Sequence, residues 1–122
     1  MTTPQEELRQ QTKHFAYRVI RLFRSLPRTT EAQVIGKQLL RSATSVAANN
    51  RAAGRARSPA EFVSKIGIVL EKADESQFWL ECLNDNGIVR AEPLTDLLAE
   101  SEELVRIFSA SQQTAKGTSS KN

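Results

Sequence analysis

The sequence has little that breaks or staples a chain. Five glycines and four prolines in 122 residues leave few punctuation points, which favours long helices over many short strands. The single cysteine, Cys82, excludes an internal disulfide framework. No apolar run approaches the ~20 residues needed to span a membrane. The opening residues MTTPQEELRQQ lack the apolar stretch of a signal peptide. These absences predict a cytoplasmic protein without a membrane partner. The glycines at 36, 54, 67, 87 and 117 are isolated, so no Gly-rich phosphate loop exists. No metal-ligand spacing occurs either. Glu71, Asp74, Glu75 and Glu81 lack the Glu-x-x-His partner of a di-iron bundle. No cofactor is expected.

What is present suits one domain with a real core, since a chain of this size buries roughly two thirds of its unfolded surface. Charge is unevenly placed. Residues 1–57 carry 11 Lys/Arg and 3 Asp/Glu, whereas residues 58–122 carry 6 and 11. Such asymmetry fits an anionic partner for the first half. It fits equally well an attraction between the two halves, within the fold or between subunits.

Apolar spacing predicts four helices. Leu8, Thr12, Phe15, Val19, Leu22 and Leu26 recur at fours and threes, giving a first helix over 5–26 that Pro27 stops. A second helix starts at Thr29 or Thr30, where Thr30 and Gln33 fit a capping box. Its stripe is Ile35, Leu39, Ser42, Val46, Asn49 and Ala53, and it runs out near 54–57. The third has the plainest start: Ser58 caps, Pro59 suits the first turn, and Glu61 completes Ser-x-x-Glu. Its stripe runs Phe62, Ile66, Val69, Ala73, Ser76, Leu80 and Leu83. Gly87 ends it, with Ile88 folding back onto Leu83. The fourth covers about 93–109, with Leu94, Leu97, Leu98, Leu104, Val105 and Phe108 on its apolar face. Short connections make consecutive helices antiparallel. The predicted fold is all-α, an up-down-up-down four-helix bundle over residues 1–110, with a polar, disordered tail at 111–122.

Catalytic signals are weak. His14 stands alone, and a general base needs a partner within hydrogen-bond reach. Cys82 has no basic neighbour in sequence to lower its pKa, so burial in the core is the expected role. Trp79 suits packing in a core or subunit interface better than base stacking, since it lies in the acidic half. Asn49 falls on the buried arc and needs a hydrogen-bond partner there, with a ligand contact as the alternative.

The basic residues carry more information. Lys37, Arg41, Arg51 and Arg55 fall within an arc of about 80° at 100° per residue, nearly opposite the apolar stripe. On the first helix, Arg9, Lys13, Arg21, Arg24 and Arg28 span about 120°, with Tyr17 among them. A solvated helix face is the plain reading. A merely solubilising face usually mixes signs, and the second helix has almost no acidic residue on this arc.

From Gln38 to Leu83 the chain resembles a family of small bacterial proteins. Its members were first noticed as reading frames in 23S ribosomal RNA intervening sequences. The matching residues are Gln38-Leu39, Arg41, Ser45-Val46, Asn49, Arg51-Ala52-Ala53, Ser58, Glu61-Phe62, Lys65, Glu71, Asp74-Glu75-Ser76 and Trp79-Leu80. One branch has Glu-Gly after the asparagine; Arg51-Ala52-Ala53 suits another. The resemblance implies an up-down four-helix bundle that assembles into homo-oligomers, as ring-like pentamers. More distantly, the chain is similar to the accessory variability protein of diversity-generating retroelements. That protein is a basic pentameric barrel that binds nucleic acid and a reverse transcriptase. The resemblance brings no established activity.

The expected function is therefore a non-enzymatic homo-oligomer that contacts RNA or DNA phosphates. Lys37, Arg41, Arg51 and Arg55 would make those contacts, with Arg9, Lys13, Arg21 and Arg24 beside them. The alternative is an oligomeric scaffold or adaptor for a protein partner, a reverse transcriptase for example, with the basic face used between subunits.

Overall fold

The computed structural model describes residues 2–120, with every side chain among them except those at 91 and 118–120. Among the described residues there are four helices and no strand: α1 (Pro4–Ser25), α2 (Thr30–Ala53), α3 (Pro59–Asp85) and α4 (Ala91–Ser120).

Local chemistry sets most helix ends. Thr3 and Glu6 close a reciprocal capping box that starts α1, and Pro4 occupies its first turn, where a missing N–H costs nothing. At α2 the cap is Thr29, whose hydroxyl accepts the Ala32 N–H at 3.4 Å. The expected Thr30–Gln33 box does not form, because the Gln33 amide instead donates to the Pro27 carbonyl at 2.9 Å. Ser58 caps α3 as expected, accepting the Glu61 N–H at 3.1 Å. The Glu61 carboxylate takes the Arg57 N–H at 3.4 Å rather than that of Ser58. At the far end of α3, Gly87 adopts a φ of 62°. The Gly87 N–H then reaches the Asn84 carbonyl, and the Ile88 N–H reaches Leu83. Two otherwise orphaned carbonyls are satisfied, in the Schellman arrangement.

The four apolar stripes meet in one core. Phe15, Val19, Leu39, Val46, Val69, Leu80, Leu83, Leu94, Leu104 and Phe108 are all fully or almost fully buried. Burying each such side chain stabilises by roughly 1.5–3 kcal/mol, which is why periodicity overrides the scattered polar residues. α2 packs most extensively on α3, and α3 on α4; α1 rests on α2 and touches α4 least. Gly36 is buried against α1, where a methyl group would run into Leu26 and lie 3.0 Å from the Phe23 ring. Its missing side chain lets the two helices approach.

Two further expectations change. The buried amide of α2 belongs to Asn50, not Asn49. Asn50 donates to the Thr12 hydroxyl at 3.5 Å, while Asn49 bonds back to Ser45 in its own helix. Asn50 follows Gly36 and Ala43 at spacings of seven, on the buried line of α2, while Asn49 is only partly buried. The second change is at α4, which does not stop at Ser109 but continues through Ser120. Residues 110–116 contain no proline or glycine, and Gln112 lies over Gly67 of α3. The last two residues of the expected tail, 121 and 122, lie outside the described residues.

Candidate nucleic-acid interface

The buried stripes of α1 and α2 dictate where the cations go. On α1, Thr12, Phe15, Ala16, Val19 and Leu22 face inward, so Arg9, Lys13, Arg21 and Arg24 project outward, and all four are exposed. On α2, Leu39, Ala43, Val46 and Asn50 face inward, leaving Lys37, Arg41 and Arg51 exposed. Arg55 is also exposed, but it lies beyond α2. A turn fixes it there, with its N–H donating to the Ala52 carbonyl at 3.0 Å.

α1 and α2 are packed neighbours, so the two arcs lie on adjacent helices. Gly36 abuts Phe23 and Leu26, and Gly54 abuts Gln5. That register sets Arg24 level with Lys37 and Arg9 level with Arg51. One pair of cations therefore stands near each end of the helix pair, with Lys13, Tyr17, Arg21 and Arg41 between.

Their electrostatic state is open. Among the described residues none of the eight sequence-predicted cations forms an ion pair. The Lys13 ammonium lies 5.7 Å from the centre of the Tyr17 ring, a cation–π contact. Glu6 is the acid on the same α1 arc, and its carboxylate accepts the Thr3 N–H in the cap. Arg18 behaves differently. It leaves the arc and meets Glu100 of α4 at 2.6 Å, both partly buried. Residues 82 positions apart carry no spacing signal that would reveal this pair in the sequence.

The other candidates disperse. His14 is exposed on α1, and Cys82 is half-buried on α3. Burial raises the Cys82 thiol pKa above its ordinary value, and Asp85 and Glu81 raise it further, the opposite of nucleophile activation. Trp79 packs against the core and meets Phe78 edge-on at 4.9 Å between ring centres. Phe78 itself is exposed. Among the described residues no group of three or more His, Cys, Asp or Glu could hold a metal ion. No described helix is long and apolar enough to cross a membrane.

A groove of about 990 Å³ opens where Leu8, Ala53, Phe62, Ile66 and Ile107 converge. It is built from the ends of four helices, so no local sequence pattern announces it.

Comparison with known proteins agrees with this architecture. The family model described as 23S rRNA-intervening sequence protein matches residues 5–110. A crystal structure from Bacteroides thetaiotaomicron VPI-5482 is similar in fold, with a TM-score of 0.79 and 31% identity. The alignment covers 86% of this chain and 97% of that one, which is described as a protein of unknown function from the S23 ribosomal protein family. No curated protein matches the chain at a significant level. Helix count, apolar register and a match from the first turn of α1 to the outer half of α4 lead to one assignment: the chain belongs to the 23S rRNA-intervening sequence protein family.

Proposed function

We propose that this protein is a non-enzymatic, cytoplasmic homo-oligomer, built of antiparallel up-down bundles, that binds RNA or DNA along its backbone. The basic side formed by α1 and α2 is the binding surface. One observation carries the reading: eight exposed cations, seven on two packed helices and Arg55 just past the second, none in an ion pair among the described residues. Phosphates are the ligand such a surface suits, because cations on long, solvated arms neutralise a repeating anion without needing a shaped pocket. Little base specificity follows from phosphate contacts alone.

A second reading has its own support. On α3, Glu71, Asp74, Glu81 and Asp85 are exposed, around the exposed ring of Phe78. This acidic side complements the basic side of a neighbouring copy, and in that arrangement the cations hold subunits together in a scaffold for a protein partner. The family resemblance supports self-association, as pentameric rings.

Binding to RNA and DNA, measured while the oligomeric state is followed across a salt series, separates the two. The nucleic-acid reading expects binding at low salt that weakens steeply as salt rises, with the oligomer intact. Absence of binding at low salt contradicts it. Salt that dissolves the oligomer supports the scaffold.

A further inference from the structure

We infer that the strand held by this surface is single, with an unpaired base stacked on Tyr17. The inference rests on the nucleic-acid reading above and adds the form of the ligand. Among the described residues three large hydrophobic side chains are notably exposed: Tyr17, Val34 and Phe78. Of these, Tyr17 stands inside the cationic arc of α1, flanked by Lys13, Arg21 and Arg24 in the sequence. The residue is 48% exposed, so it stands at the surface beside the cations. Lys13 lies over this ring; a stacking base would take its place on the ring face and leave the ammonium to meet the adjoining phosphate.

The spacing suits a strand laid along the helix. Arg9 and Arg24 bracket Tyr17 at about 22 Å, from a rise of about 1.5 Å per residue. That length spans several nucleotides, within the roughly 4–16 that single-strand sites cover. Cations tracking a backbone, interrupted by an aromatic platform, are the two parts of a sequence-tolerant single-strand site. In an intact duplex the base faces are hidden in the stack, so Tyr17 would contribute nothing.

The test uses the full chain and anisotropy at low salt. The probes are a single-stranded RNA of about 20 nucleotides, the DNA strand of the same sequence, and the matching duplexes. Both single strands are expected to bind at least about tenfold tighter than either duplex. Tyr17→Ala should weaken single-strand binding about 5- to 150-fold, the range for one lost base stack, and leave duplex binding nearly unchanged. Tyr17→Phe should retain the affinity, since the π-face remains. Because the ring is half-exposed, both variants should fold, which an unchanged melting curve checks. If duplexes bind as tightly as single strands, or Tyr17→Ala binds like the parent, this inference is overturned while the basic-face reading stands. If neither form binds at low salt, the basic-face reading itself falls.

Discussion

At Gly87 one missing Cβ lets α3 end sharply. The backbone sits at a φ of 62° with open space around it, so a substitution meets no neighbour and pays only in backbone strain. Gly87→Ala should therefore lower stability by about 1 kcal/mol, read as a shifted denaturant midpoint with an unchanged slope. Cys82 makes a chemical prediction. Its thiol titrates above its ordinary value, because burial and then Asp85 and Glu81 disfavour the thiolate. At about pH 8 the folded protein should alkylate more slowly than the urea-unfolded chain, and the gap should narrow as pH rises. Equal rates in both states would remove that account. Gly87 was readable from the sequence by its turn chemistry; for Cys82 the lack of a basic neighbour was readable, but it is half-buried rather than in the core as expected. The pair Asn49 and Asn50 was not readable. Adjacent residues on a helix differ by 100°, and the contact that distinguishes Asn50, its hydrogen bond to Thr12 of α1, is a long-range one with no local signal.

Among the elements, α2 and α3 are joined by a polar contact inside an otherwise apolar seam. The Ser76 hydroxyl lies 2.9 Å from that of Ser42, and both are buried. Each hydroxyl also reaches a carbonyl of its own helix, Ser42 to Leu39 and Ser76 to Lys72. Replacing either serine with alanine should cost about 1 kcal/mol, whereas replacing both should cost less than the sum, since neither partner is then left short. A double-mutant cycle in urea measures this, and strict additivity would mean the two hydroxyls act independently. Three of the four helices were legible nearly to the residue, because threonine, serine and proline caps coincide with the onset of apolar periodicity. The end of α4 was not legible. Residues 110–116 are small or polar and contain no proline or glycine, and contacts with α3 such as Gln112 over Gly67 have no local signature.

At the scale of the whole molecule, α1 is held unequally: firmly by α2, lightly by α4. The Arg18–Glu100 bridge crosses the lighter seam. Because both side chains retain some solvent contact, their coupling in a double-mutant cycle should be modest, about 0.5–1 kcal/mol, and smaller at high salt. The basic side was legible as two arcs, since helical spacing alone places cations opposite an apolar stripe. How the arcs align was not, because that depends on where Gly36 and Gly54 let α1 rest. The account stands or falls on whether that side meets phosphate. The most direct measurement is the slope of log affinity against log salt for RNA, in the parent and in an Arg41→Gln/Arg51→Gln variant. Both residues are exposed and unpaired with any acid among the described residues, so the variant should fold normally. Losing two phosphate contacts on a single strand should reduce the magnitude of the slope by about 1.4. An unchanged slope, with the variant folded and bound as tightly as the parent, would contradict the account.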